Sequence, residues 1–209
     1  MDAAVDAPSD LVAADAASPD ALSDQPTADS PYPAGPYGAN MGERLANIVG
    51  EGYPLSAAQS DRTMVPFRSI DLAEIRGNAA CRCIVLEFNG SLPGRCPPCQ
   101  MQERALVPAA ATLSAACFVT VFVPYGAMAP DAGGWAPATR SQLDTWIDAF
   151  HPTFPQLLTT EGSLLQLGSP DAVPQTWVVE ASSMRIIDRI LGFDMSHIQR
   201  VTDGCAMAR

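Results

Sequence analysis

The sequence predicts an α/β protein in which a mixed central β-sheet is flanked by helices and preceded by an N-terminal extension. Two short runs, residues 84–88 and 118–123, are almost wholly apolar, which is typical of buried strands. Helix-forming segments follow each run. The chain then contains two more β-rich runs, residues 177–179 and 186–191, separated by a turn. Strands that alternate with helices and close with a hairpin indicate one mixed sheet.

Residues 1–37 form the N-terminal extension and consist mostly of alanine, aspartate, proline and serine. A segment with so few large apolar side chains cannot bury enough surface to offset its ordering entropy, so we expect a disordered tether. Two other origins stay open. The segment could result from a wrongly chosen start codon, or it could be a lipoprotein-type tether whose lipid anchor lies upstream of Met1. The globular domain is expected over residues 38–209.

Composition excludes several classes of protein. The net charge of the 209-residue chain is −11. An acidic chain lacks the basic surface on which nucleic-acid binding depends, so no nucleic-acid partner is expected. No run of about 18 apolar residues occurs, so no transmembrane segment is expected. The first residues also lack the basic and apolar regions of a signal peptide.

The first elements of the expected domain can be assigned in order. Residues 45–70 are predicted to hold short strands around a first hairpin. Residues 69–75 then predict a short helix with Ser69 as its N-cap. Residues 84–88 form the predicted central strand, because an apolar run of this length suits a strand that is covered on both faces.

The second half of the domain contains the remaining elements. They are a helix over residues 101–113 that Pro108 should interrupt and kink, a strand over 118–123, a helix over 139–150, a short strand over 154–158, a hairpin over 177–191 and a last helix over 194–207. The helix over 139–150 is amphipathic. Its apolar stripe, which we assign to the core, consists of Leu143, Trp146, Ile147 and Phe150.

The chemistry is concentrated in the run Cys96-Pro97-Pro98-Cys99, which follows the central strand and precedes a helix. At a helix N-terminus, free N–H groups and the helix dipole stabilise negative charge and lower the pKa of a thiol. Cys96 is therefore the predicted attacking thiolate. Cys99 lies one turn later, close enough to displace a mixed disulfide. The two prolines remove two N–H donors, which leaves part of the stabilisation to the dipole and to Arg95.

A lone Cys-x-x-Cys can instead be half of a zinc site. The second half is missing from this sequence, because one residue separates Cys81 from Cys83 and because His151 and His197 lie far apart. The spacing therefore favours redox chemistry between the two cysteines, with no metal and no external cofactor.

Two blocks of the sequence carry a resemblance to a known family. Residues 84–99 resemble the strand and active-site loop of the thioredoxin-like superfamily, and residues 154–179 resemble its later block, in which a cis-proline precedes a strand. The chain is most similar to the redoxin-type thiol–disulfide oxidoreductases, especially their extracytoplasmic, membrane-tethered branch. The resemblance covers residues 38–205. It implies a thioredoxin fold and a monomeric enzyme that exchanges disulfides with protein substrates and with an upstream thiol reductant or oxidant.

The sequence departs from that family in the active-site loop. The family usually has tryptophan immediately before the first cysteine, where this chain has Arg95. The loop between Glu87 and the cysteine pair is also longer than usual. These departures leave the redox potential, the redox direction and the choice of partner open, since a few contacts decide each of them.

Four residues outside the cysteine pair have expected roles. Arg95 is expected to help bind the substrate, and the other three are Val173, Pro174 and Glu87. Val173 and Pro174 match the family's cis-proline pair, which implies that the Val173 backbone pairs with an extended substrate; the alternative is an ordinary trans turn. Glu87 lies in the apolar central strand. If buried, its pKa would rise and it could accept or relay the proton of the second cysteine, and if it points outward it would simply be solvated.

Four further cysteines, Cys81, Cys83, Cys117 and Cys205, are predicted to form one or two structural disulfides in an oxidising compartment. Cys81 and Cys83 should share one face if both lie in a strand. The pairing stays open, and the alternative is reduced cysteines that act as small apolar side chains. Together with the acidic tether, these cysteines favour an extracytoplasmic location, in the periplasm or anchored to the envelope. A cytoplasmic location is the alternative.

Two other functions compete with the oxidoreductase. A peroxidase of the peroxiredoxin type has threonine three residues before its reactive cysteine, where this chain has Pro93. A non-enzymatic, copper-binding thioredoxin-fold protein would use Cys96, Cys99 and His151 as soft ligands for Cu(I). The other interpretation of His151 is a capping or surface residue near a helix C-terminus. The residues therefore favour the oxidoreductase.

Overall fold

The computed structural model describes residues 32–90, 96–123, 138–159 and 173–208. Within them, seven strands form one sheet in the order β2-β1-β5-β4-β3-β6-β7. The strands are β1 (Val49–Tyr53), β2 (Arg68–Asp71), β3 (Cys83–Gly90), β4 (Ala116–Val123), β5 (Gln156–Thr159), β6 (Gln175–Glu180) and β7 (Arg185–Leu191). β3, β4 and β5 run parallel to one another, and the other neighbours are antiparallel. The predicted mixed sheet is therefore confirmed.

Helices pack on both faces of the sheet. They are α1 (Leu72–Arg76), α2 (Pro97–Thr112), α3 (Arg140–Phe150) and α4 (His197–Met207), and a short 3-10 helix spans Arg62–Met64. Leu72 of α1 packs in an apolar cluster on one face. Leu106 of α2 and Val201 of α4 pack in a second cluster on the opposite face. None of the helices in the described ranges is long and apolar enough to cross a membrane.

Strand β3 is buried along its whole length, and its alternate side chains face two different interiors. Ile84, Leu86 and Phe88 lie in the apolar cluster on the α1 face. Cys83 and Val85 lie in the cluster on the face of α2 and α4. Coverage on both faces explains why this segment is apolar at nearly every position instead of alternating with polar residues.

Most predicted elements are confirmed. The first hairpin consists of β1 and β2, and the last consists of β6 and β7, both antiparallel. The amphipathic helix is α3, which begins after Thr139 with a capping box. Leu143, Trp146 and Ile147 are buried as expected, while Phe150 is half-buried against the same apolar cluster.

The predicted N-cap of the first short helix is wrong. Ser69 lies in β2, and α1 begins only at Leu72. The N-cap is Asp71, whose carboxylate accepts a hydrogen bond from the backbone N–H of Glu74 at 2.7 Å. Pairing with β1 keeps the chain extended as far as Asp71, so the helix starts later than local propensity suggests. Serine and aspartate are both good caps, and the strand pairing decides between them.

Helix α2 begins at Pro97, before the predicted start at residue 101. Proline is favourable in the first turn, because its missing N–H would have no partner there. Pro108 lies inside the helix, yet the helix continues to Thr112. The predicted interruption therefore does not end the helix, although the proline does remove one backbone donor.

The four cysteines outside the motif form two disulfides, Cys81–Cys117 and Cys83–Cys205, with Cα–Cα distances of 5.4 and 5.3 Å. Cys81 and Cys83 were expected to share one face only if both lay in a strand, and Cys81 lies outside β3. Cys81 precedes β3 in a turn closed by Asn78 and packs on the α1 side, whereas Cys83 starts the strand and faces the opposite side. The two disulfides therefore tie down different faces of the sheet.

The packed part of the described chain includes Tyr32, near the end of the expected tether. Tyr32 is 8% exposed, and its hydroxyl donates a hydrogen bond to the carbonyl oxygen of Leu45 at 3.0 Å. Its ring also contacts Tyr37, with 6.4 Å between the ring centroids. Residues 32–37 of the expected tether are described, and residues 1–31 lie outside the described residues.

We expect truncation to affect stability only where it removes Tyr32. Removing residues 1–30 should leave the melting temperature unchanged, because their composition cannot support a core. Removing residues 1–36 should lower it by several degrees, since burial and hydrogen bonding of one tyrosine contribute about 2 kcal/mol. Thermal unfolding of both truncations and of full-length Tyr32→Ala measures this. A lower melting temperature after removal of residues 1–30 alone would contradict this prediction.

The two structural disulfides should differ in their contributions to stability. Removing the Cys83–Cys205 pair by a double alanine substitution should cost about 1 kcal/mol more than removing Cys81–Cys117, because the loops span 122 and 36 residues. Each loss should fall near 2–4 kcal/mol. Urea unfolding midpoints compare the two variants directly. Equal losses, or a larger loss for Cys81–Cys117, would refute the loop-entropy explanation.

Candidate active site

The Cys-x-x-Cys run lies at the N-terminus of α2 and forms a disulfide between Cys96 and Cys99. Cys96 is the N-cap residue and is half-buried, whereas Cys99 is fully buried. The backbone N–H of Cys99 donates to the Cys96 sulfur at 3.3 Å. Pro97 and Pro98 occupy the first two helical positions and have no N–H. Cys99 therefore supplies the first backbone N–H of the helix, and it points at the more accessible sulfur.

The Val173–Pro174 peptide bond is cis. Val173 packs against the apolar cluster that contains Cys99 and Trp146, so this loop borders the cysteine pair. The carbonyl oxygen of Pro174 accepts a hydrogen bond from the backbone N–H of Gly192 at 2.8 Å. The role of Val173 and Pro174 in substrate binding stays a prediction, as does that of Arg95, which lies outside the described residues.

Glu87 is buried at 1% exposure on the β3 face that α2 covers. Its carboxyl accepts hydrogen bonds from the Asn89 side-chain amide and from the Thr120 hydroxyl, each at 3.1 Å. Burial raises the pKa of Glu87 to about 7, with the nearby donors opposing that rise. The solvated, outward-pointing alternative is therefore wrong, because the central strand has no solvent-facing side.

Glu87 belongs to a row of buried polar side chains that crosses four adjacent strands. The register aligns Gln156 of β5 with Thr120 of β4, Thr120 with Glu87 of β3, and Glu87 with Thr176 of β6. We call these four residues the polar row. Gln156 donates to the Thr120 hydroxyl at 3.1 Å, and that hydroxyl donates to Glu87. The polar row is flanked by two apolar clusters, one containing Val85 and the other containing Cys99.

Two helices contact the polar row at Thr176. The side-chain amide of Gln102 in α2 donates to the Thr176 hydroxyl at 2.6 Å. The Nε2 atom of His197, the first residue of α4, lies 3.1 Å from the same oxygen. Burial lowers the pKa of His197 to about 4, so its imidazole is neutral near pH 7. This hydroxyl therefore connects the sheet to both helices.

Sequence reasoning missed Glu103, a second buried carboxyl. Glu103 lies in α2, four residues after Cys99, and is 0% exposed. Burial raises its pKa well above the usual range, and the neighbouring Glu87 carboxyl raises it further. The i, i+4 spacing from Cys99 was the available signal, because it puts both residues on one face of a helix.

His151 does not form a group of metal ligands with Cys96 and Cys99. It is the exposed C-cap of α3, with φ of 51°, and its backbone N–H donates to the carbonyl oxygen of Ile147 at 2.8 Å. Within the described residues, no group of three histidine, cysteine, aspartate or glutamate side chains has metal-binding geometry. The capping interpretation of His151 therefore matches its position.

No protein-family model and no curated protein matches the sequence. Solved structures do match the fold. A candidate thiol:disulfide interchange protein DsbE from Chlorobium tepidum superposes with a TM-score of 0.55 at 13% sequence identity, covering 81% of this chain and 97% of that chain. A DsbF homologue from Corynebacterium diphtheriae gives a TM-score of 0.51 at 19% identity, covering 78% of this chain and 88% of that chain.

A third similar structure belongs to another branch of the same architecture. The reduced 2-Cys peroxiredoxin of Plasmodium vivax gives a TM-score of 0.52 at 10% identity, covering 78% of this chain and 80% of that chain. Sequence identities this low establish architecture and leave activity to be argued from the residues of the site. With its mixed sheet, its flanking helices and its cysteine pair at a helix N-terminus, the chain has a thioredoxin-like fold.

Proposed function

We propose that this chain is a thiol–disulfide oxidoreductase that exchanges disulfides with protein substrates through Cys96 and Cys99. One observation carries the proposal. The two sulfurs form a disulfide at a helix N-terminus, where one is accessible and the other is fully buried. This asymmetry is what a two-step exchange requires, because one thiol must meet the substrate and the other must resolve the intermediate.

In the reducing direction, the exchange has two steps. The Cys96 thiolate attacks a substrate disulfide, forms a mixed disulfide and releases the first substrate sulfur as a thiolate. Cys99 then gives its proton to a buried base and attacks the Cys96 sulfur, which releases the second substrate sulfur. Two electrons pass to the substrate, and the Cys96–Cys99 disulfide remains. The oxidising direction is the same sequence in reverse.

The surroundings suit these two roles. The N-terminus of α2 and the Cys99 N–H stabilise negative charge on the Cys96 sulfur. Glu87 is the proposed base for the buried thiol, because its raised pKa lets it accept a proton near neutral pH. Val173 and Pro174 are proposed to seat an extended substrate beside the cysteine pair, and Arg95 to contact it.

The proposed location is extracytoplasmic, with protein disulfides and an upstream thiol reductant or oxidant as partners. All six cysteines are paired in the structure, and four of them form disulfides away from the site. Structural disulfides persist in oxidising compartments and are rare in the cytosol. The DsbE and DsbF proteins of similar fold support the same type of activity.

The two thiols should behave differently when substituted. Cys99→Ser should accumulate mixed disulfides on Cys96, because the resolving thiol is missing. Cys96→Ser should trap nothing and abolish reduction of insulin disulfides. Alkylation rate against pH in each variant should show Cys96 as the faster thiol with the lower pKa. Cys117→Ser is the control, since it frees Cys81 away from the site. A faster Cys99 thiol would reverse the assigned roles.

Glu87→Gln should slow resolution of the mixed disulfide about ten- to a hundredfold. Only the ionised carboxylate can accept a proton, so the wild-type rate should rise as the pH increases through about 7, and this rise should be lost in the variant. Stopped-flow kinetics from about pH 5 to about pH 9 measures it. Glu74→Gln, at an exposed carboxylate paired with Arg68, is the control. An unchanged profile in Glu87→Gln would exclude Glu87 as the base.

A further inference from the structure

Helix α2 carries a second carboxyl on the face that holds the buried sulfur. Glu103 follows Cys99 by four residues, and side chains at this spacing lie next to each other on a helix. Both are 0% exposed. Cys99 packs in the cluster with Trp146, and Glu103 lies against the polar row, near Glu87 and Thr120. Among the carboxyls of the site, Glu103 is therefore the one that shares a helix face with the resolving cysteine.

Among the described residues, no cation lies beside Glu87 or Glu103. The ion pairs of the described ranges lie elsewhere, at Arg62, Arg68 and Arg200. Glu87 accepts two hydrogen bonds, but neither oxygen of Glu103 makes one of normal geometry with a described residue. Burial and the Glu87 carboxyl outweigh the nearby Trp146 and Thr120 donors, so Glu103 favours its protonated form.

The remaining groups around this pair are neutral. The strands present two hydroxyls, those of Thr120 and Thr176, and two side-chain amides, those of Asn89 and Gln156. α3 presents the indole of Trp146, and α4 presents His197, which is neutral near pH 7. Among the described residues, the titratable groups next to the pair or the polar row are Cys99, four residues before Glu103 on α2, and the neutral His197, which contacts Thr176.

Two fully buried carboxyls that interact with each other, with no cation beside them among the described residues, cannot both ionise near neutral pH. Burial is the largest cause of the raised pKa of each, and the charge of Glu87 opposes ionisation of Glu103. Such a pair titrates as one unit, with a first proton lost near neutral pH and a second held much more tightly. The unit therefore alternates between a neutral and a singly charged state.

We propose that Glu87 and Glu103 form one carboxyl pair that shares a single proton and takes up the Cys99 proton when the mixed disulfide is resolved. This inference rests on the proposed function. Before the step, Cys99 is a thiol and the pair carries one negative charge. The proton moves from sulfur to the pair, the Cys99–Cys96 bond forms, and the substrate sulfur leaves as a thiolate. Glu103 is a positioning residue in this scheme, because it sets the proton affinity of Glu87.

The experiment follows resolution against pH with glutathione disulfide as the probe substrate. In the wild type the rate should rise with a midpoint near neutral pH. Glu103→Gln should move this midpoint about one pH unit lower and slow the plateau about tenfold, because Glu87 then becomes a weaker base. Gln102→Leu is the matched control on the same helix. It removes the hydrogen bond to Thr176 and should lower stability while leaving the midpoint in place.

Unfolding of the oxidised protein gives a readout that does not depend on activity. The pKa values of the pair are raised in the fold, so the folded state binds protons more tightly than the unfolded chain. The stability that this contributes is present at low pH and is lost as the pH rises through the folded-state pKa. The free energy of unfolding of the wild type, relative to Glu103→Gln, should therefore fall between about pH 5 and about pH 8.

The outcomes separate the two proposals. A Glu103→Gln variant with the wild-type midpoint and rate overturns the shared-proton pair, and so does a stability difference that does not change with pH. A wild-type protein that resolves no mixed disulfide refutes the proposed function instead, and the pH-dependent stability difference would still identify the carboxyl pair.

Discussion

Burial of an acidic side chain at the centre of the sheet is the constraint on which the site depends. β3 has no solvent-facing side, so Glu87 must be satisfied by groups of the protein itself. The Thr120 and Asn89 side chains do this, and the neighbouring strands supply Gln156 and Thr176 at the same level. A slip of one residue in β3 would turn Glu87 into the apolar cluster of the opposite face. The polar row therefore fixes the register of the strands that support α2.

The polar row also contacts α2, which carries the cysteine pair, and α4. One hydroxyl, that of Thr176, contacts Gln102 of α2 and His197 of α4. The Cys83–Cys205 disulfide links the start of β3 to α4 on that face. Because α2 begins beside the cysteine pair, contacts that hold α2 also hold the buried sulfur relative to the carboxyls below it. Such support matters, since misplacing reacting groups by about 1 Å can cost about a hundredfold in rate.

The elements that could be predicted from the sequence are those with a distinctive local sequence pattern. Apolar runs marked β3 and β4, and two cysteines next to two prolines marked a helix N-terminus. Distant pairings explain the errors. Strand pairing displaced the helix cap to Asp71, and Cys81 proved to precede the strand that Cys83 begins. Glu103 was overlooked because a glutamate in a helix is usually solvated, and only the packing of α2 on the sheet shows that this one is buried.

The surroundings of the two sulfurs affect negative charge on each of them differently. Two prolines at the start of α2 leave one early backbone donor for a Cys96 thiolate, that of Cys99. A singly charged carboxyl pair near Cys99 opposes a second buried anion, so that thiol loses its proton only if the pair gains it. The Cys96 thiolate is thus stabilised at the accessible sulfur, whereas a Cys99 thiolate is disfavoured at the buried one. In the proposed scheme, proton transfer and disulfide formation are thereby coupled at one end of α2, where the cysteines react and Glu103 sets the proton affinity of Glu87.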